Sequence, residues 1–274
     1  MAANSELQSV GIRDRWQGFN NLLRKENRMW WHTSRWWKQA LIWLVLMNGL
    51  LLLAFKGGMK NPDGSAMPAE ALAMMGLVGF VQMAGSFASI GVVLQAQETL
   101  LDEKRLGTAA WVLSKPVTRA AVILSKLAAY GMGILITTVL AQAAVAYGMM
   151  RAISGVMPPA LPFAKALGMI YLALVFWLTL TVTLSAVSNS RGLVLGVPLL
   201  LVFAPVLVGG MLPAWVWDIM PWNLTYAAAG IRPSLADCLL AGQPVTTWMP
   251  AIITAVGCVI LTLAAIWGFK KEEF

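Results

Sequence analysis

The chain has 274 residues, 59% hydrophobic and 12% charged, with mean hydropathy +0.71 and net charge +8. Soluble domains carry about 25% charged residues, so most of this chain has no water to face and a soluble fold is excluded. The basic excess reads as residues flanking membrane spans rather than as a nucleic-acid surface.

The first thirty-odd residues are polar and predict no cleavable signal peptide. Within residues 11–37, Ile12, Trp16, Phe19, Leu23 and Trp30 recur at helical spacing, with Arg24, Arg28 and Arg35 on another face. That pattern predicts an amphipathic helix lying in the membrane interface, closing an N-terminal segment of residues 1–37. Glu26 falls on or near the apolar stripe. It reads either as an edge residue paired with a basic neighbour or as a contact with another part of the protein.

Six apolar runs follow, at about 38–55, 71–97, 119–150, 164–188, 192–211 and 250–269. Each approaches or exceeds the ~20 residues that cross a bilayer. Backbone groups in lipid must pair internally, so the runs are helices. The expected fold class is an all-α membrane protein, with residues 38–274 forming a six-helix transmembrane domain.

Basic residues set the orientation. With both termini on one side, that side collects Arg13, Arg15, Arg24, Lys25, Arg28, Arg35, Lys38, Lys104, Arg105, Lys115, Arg119, Lys126, Arg191, Lys270 and Lys271. The other side holds Lys56, Lys60, Arg151, Lys165 and Arg232. Fifteen against five places both termini in the cytoplasm. Apart from residues at span ends, Lys126 is the one ionisable candidate inside a span, near enough to its cytoplasmic start to snorkel.

The connection at 98–118 carries most of the unusual chemistry. Gly107 breaks the preceding helix, Thr108 can cap a new one, and Ala109–Leu113 suffice for one short turn. Pro116 biases Lys115 away from helix, and Thr118 caps the third span. The product is a short helix between two bends, exposing Trp111, Val112 and Leu113. An exposed tryptophan there reads as a partner anchor or as a side chain dipping into lipid headgroups.

The run Glu103-Lys104-Arg105-x-Gly107-Thr108, then Leu113-Ser114-x-Pro116-Val117-Thr118-Arg119, resembles the signature of ABC-2 type transporter permeases. In that family it reads roughly E-R-x-x-G-T-x-E-x-L-L-x-x-P-V-S/T-R, followed by a lysine that is Lys126 here. Leu23-Arg24-Lys25-Glu26 is similar to the family's R-K-E connecting helix, and MPWNLTYAA before the last span resembles its "lnPltya". Ala110 departs from the pattern, standing where an acidic residue is common. The resemblance implies a permease subunit of an ATP-driven exporter in a bacterial or archaeal plasma or inner membrane. The 108–113 helix would be the coupling helix, seated in one of two separate ATPase subunits that hold ATP and Mg. Its contacts would involve Glu103, Lys104, Gly107, Thr108, Trp111, Leu113, Ser114, Pro116 and Arg119, with Arg24, Lys25 and Glu26 from the N-terminal helix. A second permease subunit, identical or different, would complete the complex, with the route lined mainly by the second and fifth helices.

Two hints about a route come from the residues themselves. Gln82, Ser86 and Ser89 form a polar stripe on the second span, reading as a path lining or as ordinary helix packing. Gly192-x-x-x-Gly196 opens the fifth span, which also holds Pro198 and Pro205. The outer connection 212–249, rich in Trp and Pro, reads as short helices re-entering the outer interface. Cys238, Cys258 and His32 are too few for a structural zinc site, which takes about four ligands. No GxxxxGK[ST] or HExxH occurs, so this chain is expected to hold no nucleotide, cofactor or metal and to catalyse nothing itself. Nucleic acid is not an expected partner. The alternative reading is an ATP-independent channel or carrier, with the 82–89 stripe lining its pore.

Overall fold

The computed structural model describes residues 16, 18–56, 65–227 and 233–271. Ile12, Arg13, Arg15, Lys60 and Arg232, and the side chain of Ala110, used in the sequence reading, lie outside that set. Every regular element among the described residues is a helix, and six are long and apolar enough to cross a bilayer.

Helix α1 spans Phe19–Trp31 and α2 spans Arg35–Phe55. Helix α3, Ala69–Ala96, starts after the extended Pro68, and α4, Glu98–Arg105, continues it through Gln97, whose own backbone is helical. The short α5 is Thr108–Leu113. Helix α6 covers Arg119–Ser154 and stops at Gly155, whose φ of 75° is left-handed. Helices α7 (Ala160–Val187) and α8 (Arg191–Val208) follow. The outer connection holds α9, Ala214–Ile219, a 3-10 turn at Pro221–Leu224 and α10, Leu235–Leu240. Helix α11, Met249–Lys271, ends the described chain. The six apolar helices match the six expected runs to within a few residues, except that the second continues to Arg105.

Helices α6 and α7 are the most enclosed, α8 and α11 the least. Close approach is bought by glycine. A Cβ on Gly91 of α3 would meet the Trp43 indole, and one on Gly76 would meet Met150. Hydroxyls inside α7 stay satisfied by donating to their own helix: Thr181 to Trp177, Thr183 to Thr179, Ser185 to Thr181.

Two π-turns, Leu44–Gly49 in α2 and Leu135–Leu140 in α6, adjoin a buried polar knot between the two helices. Gln142 Nε2 donates to Ala40 O and Thr137 O, each at 3.0 Å, and Asn48 Nδ2 donates to Gln142 Oε1 at 3.0 Å. Where a ladder returns from five-residue to four-residue spacing one carbonyl is passed over, and Gln142 serves it.

Helix α1 packs on α6, with a buried stripe other than the one expected. Gly18 meets Val117, Glu26 meets Lys126, and Trp30 meets Tyr130 and Gly133. These contacts advance in the same direction along both helices, so α1 stands beside the first half of α6 rather than lying across it. Leu22, Glu26 and Trp30 form its buried stripe, while Trp16 is exposed. The stripe faces protein because α6 offers a cation for Glu26 and a glycine notch for the Trp30 indole, and lipid offers neither.

Candidate functional site

The site is the bend joining α3–α4 to α6, together with what holds it. Leu106 ends α4, and Gly107 turns the chain at φ 70°, a region open to glycine at little cost. Thr108 does not behave as a simple cap, because its hydroxyl donates back to Glu103 O. Ser114 Oγ donates to Trp111 O, closing the far end of α5. Pro116 and a 2.7 Å bond from Val117 N to Lys115 O form the second bend. Thr118 caps α6 as expected, its side chain accepting from Ala121 N.

Cations tie this bend to the ends of other helices. Lys104 Nζ lies 3.3 Å from Ser185 O and 3.4 Å from Ala186 O at the C-terminus of α7. Arg105 Nη2 donates to Asn189 O. Arg119 Nη1 donates to Phe269 O and Lys270 O, both at 2.7 Å, at the C-terminus of α11. Positive groups there meet unpaired carbonyls and the negative end of the helix dipole. Arg191, at the start of α8, donates to Gln97 Oε1 and sits 3.6 Å from Glu98.

At the centre lies a four-membered ion network. Lys126 Nζ is 3.1 Å from Glu26 and 3.0 Å from Glu103. Lys25 Nζ is 3.2 Å from Glu103 and 3.9 Å from Glu26. Lys126 is thus buried between two carboxylates, which corrects the expectation that it snorkels. Glu26 makes both contacts left open for it, one with its neighbour Lys25 and one with Lys126 on another helix. Charges this buried persist because each has an opposite partner.

The outer surface of the bend is simple. Trp111 is 63% exposed, with Lys115 Nζ 3.7 Å above its ring, and Leu106 is exposed as well. Val112 is buried and Leu113 half-buried, so the expectation that all three of residues 111–113 are exposed holds for Trp111 alone. Arg24 is exposed on the far face of α1.

The polar stripe of α3 does not form one surface. Ser89 is fully buried and donates to Gly85 O. Gln82 reaches Asp237 of α10, and Ser86 lines a small cavity beneath the outer connection. Burial raises the Asp237 carboxyl above its ordinary range, against the lowering effect of its Ser234 and Gln82 hydrogen bonds. Asp237 also completes a capping box with Ser234. Among the described residues no group of three His, Cys, Asp or Glu side chains could hold a metal ion.

The sequence pattern of a family described as a protein of unknown function, DUF2705, matches residues 41–274. The chain belongs to the DUF2705 family. The match takes in every helix end joined to the bend, including Glu103, Lys104, Arg119 and Lys126, and stops short of α1 with Lys25 and Glu26. No curated protein matches the chain.

Sequence reasoning missed two arrangements. The Asn48–Gln142 knot was signalled by two amides inside apolar runs. The bond from Trp222 Nε1 to Leu201 O, 2.7 Å, was half-signalled by Pro205, which cannot supply the amide that Leu201 O would otherwise receive.

Proposed function

We propose that this DUF2705 protein is the membrane-spanning permease subunit of an ABC exporter of the ABC-2 type. A separate ATPase subunit, with its own ATP and Mg, docks on α5. The observation that carries this reading is the bend itself. It has one exposed aromatic anchor, Trp111, held between Gly107 and Pro116, and cationic ties run from it to the ends of α7 and α11. A surface loop that merely rests on lipid has no need of such ties. A lever does, because force on α5 must reach several spans without being lost in bending.

In this reading α5 is the coupling helix, and α1 is locked to the helices that flank it, α4 and α6, through Glu26, Lys126 and Glu103. Both termini face the cytoplasm of a bacterial or archaeal cell. Two permease subunits and two ATPase subunits form the complex. The outer connection re-enters the bundle, its Thr225 lying against Gly85 of α3. Export of an uncharged or lipid-like cargo fits a path with few charges.

Co-purification from the native host tests it. A P-loop ATPase is expected to accompany the wild-type chain. Trp111→Glu and Gly107→Pro are expected to lose it while the spans still insert. Retention of the ATPase by both variants overturns the reading.

A further inference from the structure

The outer connection is pinned to the bundle by a bond that exists because α8 contains a proline. Pro205 has no amide hydrogen, so the carbonyl four residues earlier, Leu201 O, lacks its helical donor. Trp222, in the 3-10 turn of the outer connection, fills that vacancy with its indole N–H at 2.7 Å. The bond is selective. Trp30, Trp43 and Trp217 bury their indole nitrogens with no hydrogen-bond partner, whereas Trp222 does not.

The turn around Trp222 is shaped as a plug. Pro221, Trp222, Asn223, Leu224 and Thr225 are all buried. Trp217 stacks on Tyr226 and meets Trp222 edge-on, and it also touches Gly209 at the end of α8. Thr225 sits against Gly85 of α3, where any side chain would displace it. Beneath the plug lies a cavity of about 20 Å³, bordered by Ser86, Trp177, Pro205, Trp222 and Thr225. That is room for about one water molecule. It lies where α3, α7 and α8 converge.

We infer that Trp222 is a latch: its bond to Leu201 O holds the outer connection shut over α8 and limits the access of outside water to the half-buried Ser86. Proline is a common site of helix bending, and the latch bond forms only where the backbone presents the Leu201 carbonyl to the indole. A change in the line of α8 at this point turns Leu201 O away and frees the plug. The latch is a property of this fold alone. Its use as the outer gate of an export route rests on the permease reading.

The test uses the full-length chain in proteoliposomes with Cys238 and Cys258 replaced by alanine. Ser86→Cys is the probe, read by its rate of reaction with an external, membrane-impermeant cationic thiol reagent. In the parent the thiol reacts slowly. Trp222→Phe keeps the aromatic packing and removes the donor, and is expected to raise the rate about tenfold, the scale of one lost hydrogen bond. Pro205→Ala returns an amide to Leu201 O and is expected to raise it similarly. Together they are expected to do no more than either alone, because both remove the same bond. An unchanged rate in Trp222→Phe, or effects that multiply in the double variant, overturns the latch. If Trp222→Phe does not insert, Pro205→Ala decides alone: no rise overturns it. No ATPase takes part, so this outcome is separate from the co-purification that tests the permease reading.

Discussion

Lys126 shows what burial does to a charge. Its ammonium is almost shut off from solvent, and two carboxylates take water's place. Removing one member of such a group leaves the others buried and uncompensated, at a cost of about 3–5 kcal/mol, whereas replacing a pair by apolar side chains is often near neutral. Lys126→Met is therefore expected to lower thermal stability in detergent strongly, and Glu26→Leu added to it to restore most of the loss, since Glu103 keeps Lys25. A double variant no more stable than Lys126→Met would contradict this account. Asp237 poses the reverse problem. Its folded pKa is raised by burial, so the folded protein binds the proton more tightly than the unfolded chain does. Its contribution to stability is best below the ordinary carboxylate pKa and worsens as pH rises through the raised value. Asp237→Asn keeps an acceptor for the Ser234 amide. It is expected to match the parent at acid pH and to exceed it at neutral pH, in thermal melts compared across that window.

At the scale of elements, the decisive fact is that α1 stands along α6. Its amphipathic spacing was legible in the sequence, but the same spacing suits a lipid surface and a protein groove equally. The groove wins through particular residues: Gly133 leaves space for the Trp30 indole, Tyr130 meets its edge at 5.2 Å, and Lys126 matches Glu26. Gly133→Val puts a branched side chain into that space, an overpacking that costs about 1–3 kcal/mol. The expected result is fast amide exchange across α1, with α6 and α7 still protected. Equal protection of α1 in parent and variant would show that the notch does not hold it. The bend at 98–118 was more legible, because Gly107 and Pro116 act through their own dihedral angles.

For the whole molecule, helix number and order were readable because each span closes its own hydrogen bonds. Orientation was argued from the excess of Lys and Arg at the end that carries the bend. Trp111→Cys, in the same cysteine-free background, is expected to react with an impermeant thiol reagent in inverted vesicles and not in intact cells. The opposite pattern would reverse the topology and remove α5 from reach of any cytoplasmic ATPase. The permease proposal rests on this scale too, since a lever is useful only if it moves more than the helices it joins. The ties from Lys104 to α7 and from Arg119 to α11 supply that reach.

The amino-acid sequence by itself determined the properties that depend on near neighbours: six apolar runs of bilayer length, the two bends around α5, and the cap at Thr118. Only the tertiary structure decided which carbonyls Lys104 and Arg119 would find, that Asn48 would meet Gln142 ninety-four residues away, and that Trp222 would serve the carbonyl abandoned by Pro205. The reason is that a dihedral preference acts within one turn of chain and an apolar run within one helix. A buried polar atom is satisfied by whichever helix packs beside it, and helical spacing carries no record of which helix that will be.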